Sequence, residues 1–483
     1  MTKKDSRNKE KAQKRSARNQ KIAKHFAFLR SHPALAELIR LFEKIFQKET
    51  EPTRINLMMM AFSILYTNSC PSVRGMFNTY IRQHSEKSLS AMYNTLNNAK
   101  LFESEWQYFL LDKVLSSPKL IKYYPILYII DDTLVEKYGN HFELWSKLFN
   151  HNSKNGSSYL NGHCFVSIVL AIPMIFNDKI CYIKLPLLHQ MWDKLSGVSK
   201  LEMAKNMILN IDNVIKYKFQ TIVMCDSWYP KGPVLELHNE HQIPFICAAR
   251  SDTALYEIPN IEEGQRGRKR IRGEKLSKNL EENFDLSEVE GFNFLIGSRK
   301  VMTEIFGHTQ CTAYVTKGKG EESKSSTNLF LATNDIDVSD LSLEIFNDKN
   351  ILSLIKYDIS YFKFGFYKMR WFIESCYYEL KIFWDFEEYK VRSKKAIERL
   401  INIQNLVYAI MSIFPYIFDG YSKLRKYSAQ EIRFHFSEVL AKTEFMSSFV
   451  EYLETDKKSS SIRPICQYYI ENILDLSDNE NVA

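Results

Sequence analysis

Near residue 120 the hydrophobic period of this chain changes, and that change limits its possible folds more than any other feature. From Ser31 onward the apolar residues Leu35, Leu38, Ile39, Phe42, Ile45 and Phe46 recur at helical spacing, with Pro33 in the first turn and Ser31 placed to cap it. Further helical stretches run to about residue 118. Tyr123 to Ile130 is instead short and continuously apolar, the pattern of a buried strand, and it ends on Asp131-Asp132-Thr133. Cys164 to Ile172 and Ile180 to Ile183 are further strand candidates, and Lys200 to Tyr217 fits a helix. Thr221 to Cys225 is a strand that ends on Asp226. Strands alternating with helices predict an α/β core.

Tyr256 to Asp335 breaks the alternation with a basic loop between Gly264 and Gly273, a strand-like Cys311 to Thr316, a Gly/Lys/Ser loop and a strand-like Leu329 to Thr333. These features predict a β-rich insertion at about 250–340. From Ile359 helix returns and holds to the end, apart from polar breaks near Gly420 and at Lys457 to Ser461. Four regions are expected: a basic disordered arm (1–27), a helical domain (28–118), an α/β domain with its insertion (119–415) and C-terminal helices (416–483).

Charge gains meaning once it is located. The chain has 65 Lys and Arg against 57 Asp and Glu, a net of +8, and residues 1–25 hold ten of the cations against Asp5 and Glu10. The remainder is balanced, with 55 of each sign. A cationic arm on a neutral body suits a polyanion partner, because each phosphate neutralised releases a condensed counterion. Within Pro71 to Leu101, short helices form a possible helix-turn-helix that would present Ser90, Asn94 and Asn97 to base edges. The longest apolar run, Cys164 to Phe176, has thirteen residues with Pro173 inside it, short of the roughly 20 that a membrane helix needs. No membrane partner is expected. The N-terminus lacks the apolar stretch of a secretory signal, and none of the eight cysteines forms a Cys-x-x-Cys pair, so a cytoplasmic protein without a zinc knuckle is expected.

The chemistry-bearing residues are acidic. Asp132 and Asp226 each sit at the carboxyl end of an apolar strand, where open α/β sheets collect ligands. Glu374 lies in the aromatic helical stretch Tyr361 to Phe386, on a face shared with Tyr367, Arg370 and Lys381. At about 100° per residue these four project within an arc of roughly 60°. Three carboxylates from distant parts of one core can hold two divalent metals, the arrangement that activates water and stabilises a leaving oxygen in phosphodiester cleavage. An all-oxygen site suits Mg²⁺, with Mn²⁺ as a substitute. His163 and His189, near the strands, are expected to be hydrogen-bonded structural residues.

Tyr367-(2)-Arg370-(3)-Glu374-(6)-Lys381 resembles the Y-(2)-R-(3)-E-(6)-K signature of the insertion-sequence-four family of DDE transposases. Asp132-Thr133, with Lys137 and Gly139 following, is similar to that family's first-aspartate segment, and Cys225-Asp226 to its second. The resemblance covers about residues 120–415. It implies an RNase H-like catalytic core with a β-rich insertion, flanked here by the N-terminal helical domain and the C-terminal helices. It also implies Asp132, Asp226 and Glu374 as catalytic metal ligands for two Mg²⁺ ions, with Tyr367, Arg370 and Lys381 contacting DNA. The implied activity is cut-and-paste transposition on double-stranded DNA, at terminal inverted repeats and a target, by a homodimer in a prokaryotic, nucleoid-associated setting. A nuclease of the same fold without transposition, or an inactive DNA-binding derivative, is the alternative. Asp131 is the weaker first aspartate, since strand alternation turns it to the opposite face from Asp132. The insertion has no tryptophan, so Phe294, Met302 or Phe306 would have to hold any base flipped beside the scissile phosphate.

Overall fold

The computed structural model describes residues 20–67, 72–100, 105–150, 158–260, 270–319, 327–337, 346, 348–455 and 459–472. Most of the basic arm and of the loop between Gly264 and Gly273 lies outside them. By contact the chain divides into two units, one of residues up to 117, 136–147 and 378 onward, the other of residues 118–135 and 148–377.

The second unit is mixed α/β, built on one eleven-stranded sheet. Its strands are β1 (Ile126–Glu136), β2 (Ser146–Phe149), β3 (Tyr159–Phe176), β4 (Lys179–Met191), β5 (Thr221–Cys225), β6 (Phe245–Ala249), β7 (Leu255–Tyr256), β8 (Ser287–Glu288), β9 (Phe294–Thr303), β10 (Gln310–Gly318) and β11 (Thr327–Thr333). The order is β2-β3-β1-β5-β6-β11-β10-β9-β7, with β4 on β3 and β8 on β9. Ile126 to Ile130 are all buried, as expected of a strand covered on both faces, and β1 pairs in parallel with β5, which pairs in parallel with β6. β3 and β4 form a long antiparallel hairpin that turns on Asn177 and Asp178, both at positive φ (50° and 57°), as a type I′ turn requires. The helix Lys200–Ile215 leads into β5 and opens on an N-cap, in which Ser199 Oγ accepts from the Glu202 amide. Its buried Asp212 takes hydrogen bonds from Tyr128 (3.0 Å) and Thr221 (3.2 Å), which fixes the helix against β1 and β5. His189, fully buried, shares a 2.6 Å hydrogen bond with Ser167 across the hairpin.

The β-rich insertion holds β7 to β11, and β11 pairs with β6, so the insertion extends the core sheet directly. Two expectations are corrected here. β1 does not end on the aspartates but runs on to Glu136, so Asp131 and Asp132 lie within the strand. The stretch Tyr361 to Phe386 is no single helix. Phe362–Tyr367 gives way to a 3₁₀ turn, Lys368–Arg370, before the helix Trp371–Phe383 begins.

The first unit is helical and joins both ends of the chain, so residues 28–118 and 416–483 do not stand apart as two domains. Pro33–Ile45 and Glu51–Tyr66 open it, then Val73–Met76 continues through a π turn (Phe77–Ile81) to His84, followed by Leu89–Asn98 and Glu105–Leu115. The cap of the first helix is His32 rather than Ser31, whose hydroxyl instead bonds the Phe28 carbonyl. The long helix Lys394–Ile417 runs among them, contacted by Glu51–Tyr66, Leu89–Asn98, Glu105–Leu115 and Ala429–Thr455. It is apolar and long enough to cross a membrane, but its apolar stretch is 89% buried within the protein, as in a core helix. Lys137 is buried in this unit beside Gly139, whose φ of +91° suits a residue without Cβ. Its ammonium bonds the Glu387 and Tyr389 carbonyls, and burial pulls it down to about 8.

One buried cation organises the two chain ends. Arg433, 1% exposed, donates to the carbonyls of Ile64 (3.1 Å), Thr67 and Phe383 (2.6 Å) and lies 4.3 Å from the Trp384 ring. Ile64 and Thr67 close one helix and Phe383 another, so a single guanidinium satisfies carbonyls that helix ends leave without partners. Arg433→Met should leave those acceptors unmatched at about 1–3 kcal/mol each. Urea unfolding followed by tryptophan fluorescence should therefore show a loss of at least ~3 kcal/mol, and a loss under 1 kcal/mol would contradict this role.

Candidate active site

The parallel register brings two acids together. Ile126 pairs with Thr221 and Ile129 with Met224, and the same register carried two residues further would set Asp131 beside Asp226, whose charge acts on it. Residues opposite one another in a sheet share a face. Asp131 therefore faces the same way as Asp226, and Asp132 faces the other. Burial, then the negative charge of Asp226, pushes Asp131 up to about 7. Asp226 follows the last residue of β5, and its Oδ1 accepts the Trp228 amide at 2.9 Å, which closes the turn after the strand.

Asp132 is surrounded by other groups. Lys200 Nζ donates to its Oδ2 at 2.8 Å, Cys164 Sγ to the same oxygen at 3.3 Å, and the Tyr229 hydroxyl to Oδ1 at 3.0 Å. Lys200 is the first residue of its capped helix, and its ammonium also lies 4.5 Å from the Trp228 ring centre. The structure thus separates the two adjacent aspartates: the one expected from sequence carries an ion pair, and its neighbour meets the second acid.

The helical stretch supplies the rest. In a 3₁₀ turn residues three apart eclipse, so Tyr367 and Arg370 are held on one side at the entrance to the helix that carries Glu374. The Tyr367 hydroxyl donates to the Cys225 carbonyl (3.4 Å), one residue before Asp226. Arg370 pairs with Glu374, and its other terminal nitrogen lies 3.8 Å from Asp131. Its buried Nε has no hydrogen-bond partner. A turn later, the Tyr377 hydroxyl bonds the Asp131 carbonyl at 3.1 Å. Arg370 thus stands between Asp131 and Glu374, Asp226 lies near enough to Asp131 for its charge to act on it, and Tyr367 bonds the carbonyl just before Asp226. Lys381 is not among them: it lies where the helix enters the first unit and pairs with Glu387 at 2.6 Å.

These residues fit a divalent cation. Asp131, Asp226 and Glu374 offer only oxygen donors, the set that a hard divalent cation takes, and a cation beside Asp131 and Asp226 would relieve the repulsion that raises Asp131. Lys200, Tyr229 and Cys164 were not legible as site residues from sequence. The one signal was Ser199-x-x-Glu202, which marks a helix start and so puts Lys200 at a helix N-terminus. Trp371, next to Arg370, is 61% exposed.

Other expected residues fall as follows. Phe306 is fully buried against the rings of His238 (5.2 Å) and Phe245 (6.1 Å), and Met302 is 9% exposed. Both pack inside the extended sheet, which corrects the expectation that they hold a flipped base. Phe294 is half-buried against Phe292 and Phe364. Ser90, Asn94 and Asn97 are exposed on the helix Leu89–Asn98, and Asn97 accepts a hydrogen bond from Ser393 (3.1 Å).

No family model matches the chain, and no curated protein matches it. A structural match is found to the cryo-EM structure of the piggyBac transposase synaptic complex with hairpin DNA. It has 11% sequence identity and a TM-score of 0.37, over 95% of this chain and 86% of that one.

The proton held by Asp131 has a measurable consequence. Between about pH 4 and 7 the unfolded chain ionises this group while the folded one retains the proton, so its contribution to stability falls as pH rises through that window. The full cost is at most about 4 kcal/mol. In urea unfolding with chelator, Asp131→Asn should be more stable than the native chain at pH 8, with the difference vanishing near pH 4. A difference independent of pH would refute the assignment.

Proposed function

We propose that the chain is a DNA transposase with an RNase H-like core, acting by metal-assisted hydrolysis and strand transfer in cut-and-paste transposition. The observation that carries this is Arg370 set between Asp131 of β1 and Glu374 of the stretch with the Tyr-Arg-Glu-Lys spacing, with Asp226 acting on Asp131 from the end of β5. The order β4-β3-β1-β5-β6, a hairpin continued by parallel strands with the acids on two adjacent central strands, supports the RNase H-like core.

In this proposal the three carboxylates are the ligands for two Mg²⁺ ions, with Asp131 in the place that spacing alone assigns to Asp132. Bound there, the metal supplies an activated water or 3′-hydroxyl and stabilises the leaving oxygen. Arg370 now neutralises Asp131 and Glu374. Released from them, its guanidinium is free to take a phosphate in bidentate fashion. Tyr367, bonded to the Cys225 carbonyl, keeps the end of β5 in place so that Asp226 stays aimed at the scissile group. Asp132 with Lys200 holds the opposite face of β1 and orients Asp131 through the strand. Lys381 contacts DNA beyond the cleavage point. The helices of 28–118 supply end recognition, the arm supplies non-specific affinity, and two copies synapse two element ends.

The test is incubation with DNA carrying the native element ends and Mg²⁺ or Mn²⁺, followed by a denaturing gel. Asp226→Asn and Glu374→Gln should each lower nicking by roughly 10²–10³-fold or more and leave end binding nearly intact. Asp131→Asn should match them, and Asp132→Asn should keep substantially more activity. The reverse ranking of the two β1 variants would return the metal to Asp132, and near-native nicking by Glu374→Gln would end the carboxylate assignment.

Removing residues 1–19, which carry eight cations, should weaken binding to all DNA sequences alike. Each phosphate that the arm no longer neutralises makes the log-log salt slope shallower by about 0.9, so a slope unchanged by the truncation would mean that the arm touches no DNA.

A further inference from the structure

A second constellation lies in the first unit, away from any role in phosphoryl chemistry. His25 comes from the helical residues 20–29, His84 from the end of Arg82–His84, and Glu444 from the C-terminal helix Ala429–Thr455. One ligand atom from each lies within 4.8 Å of the others. His25 Nδ1 is 3.5 Å from Glu444 Oε1, and His84 Nε2 is 3.4 Å from Oε2. Both separations exceed a good N–H···O hydrogen bond. Each nitrogen faces a different oxygen of the Glu444 carboxylate, at separations near the roughly 3.3–3.4 Å edge of a tetrahedron with bonds of about 2.0–2.1 Å. We propose that His25, His84 and Glu444 hold a divalent transition metal, Zn²⁺ in the first place, which ties the two ends of the chain together.

The surroundings fit. His25 Nε2 is 3.0 Å from the Tyr80 hydroxyl, the kind of outer partner that fixes the tautomer and leaves Nδ1 free to ligate. Tyr80 is fully buried, and His25 and Glu444 are each under a tenth exposed. The two imidazole rings stack at 4.3 Å, so both present their nitrogens to the same carboxylate. A cavity of about 690 Å³ adjoins the three residues and reaches Cys466, which leaves room for water as a fourth ligand. Two nitrogens and one carboxylate select zinc, cobalt or nickel over magnesium, so this site differs in kind from the all-oxygen one. Its role is structural: the helical segment just after the basic arm is clamped to a helix more than four hundred residues later.

The full-length chain should be stripped with chelator, dialysed against Zn²⁺ and assayed by atomic emission, with Co²⁺ as a spectroscopic probe. One equivalent of Zn²⁺ is expected, together with the intense visible bands of tetrahedral Co²⁺. Those bands should be lost in His84→Ala and weakened in Glu444→Gln, and persist in Asp226→Asn, which separates this site from the carboxylate one. Zn²⁺ should raise the Tm of the native chain and leave that of His84→Ala unmoved. Retention of no zinc, or a Co²⁺ spectrum identical in native chain and His84→Ala, would overturn the proposal. Should a variant fail to fold, the native Co²⁺ spectrum alone decides, since the pale bands of an octahedral ion would overturn it.

Discussion

The second unit depends on one strand pairing. β1 runs parallel to β5 in a register that sets Asp131 beside Asp226, and two carboxylates on one face of a buried sheet repel each other while losing water. Apolar residues would stabilise these positions better, so the acids have to be held by their surroundings. Arg370 brings a positive charge to within 3.8 Å of Asp131, Tyr367 ties down the carbonyl before Asp226, and Tyr377 ties down that of Asp131. Three side chains within eleven residues thus tie a helical stretch to the middle of β1 and the end of β5. This stretch positions Glu374 because it is also what makes the carboxylate pair tolerable.

On the other face of β1, Asp132 shows how differently a neighbouring residue of the same type can be used. Its partners are an ammonium, a phenol and a thiol, all within 3.3 Å. Lys200 reaches it because Ser199 and Glu202 start a helix at that point, and the Trp228 ring covers the ammonium from another side. An aspartate satisfied in this way lets the strand continue to Glu136. Of the two, Asp131 lies near Asp226 and Arg370, whereas Asp132 is engaged by Lys200, Tyr229 and Cys164.

The first unit solves a different problem, that of gathering distant segments around a helix nearly as apolar as a membrane span. Lys394–Ile417 is covered by helices from both ends of the chain, and where those helices stop, Arg433 supplies the missing donors. His25, His84 and Glu444 join the same two ends at a second point. Ser90 and Asn94 are exposed on the helix Leu89–Asn98.

Sequence alone determined the α/β character of the middle of the chain, the strand Thr221–Cys225, the helix after Ser199 and the helical ends, because each rests on periodicity or a cap within a few residues. It also marked Asp226, at the end of a short apolar strand, and Tyr367, Arg370 and Glu374, which stay within one turn or two of each other whichever helix type joins them. Tertiary structure decided the rest. Whether a strand stops at two aspartates depends on whether they find partners, and Lys200 and Tyr229 lie 68 and 97 residues away. The 3₁₀ turn between Tyr367 and Trp371 leaves no mark in an aromatic pattern that either helix type accommodates. An apolar residue near a turn reads alike whether it points outward to a ligand or, as Phe306 does, packs on His238 and Phe245. The choice between Asp131 and Asp132 rests on one step of register between strands some ninety residues apart, and no local sequence pattern encodes that register.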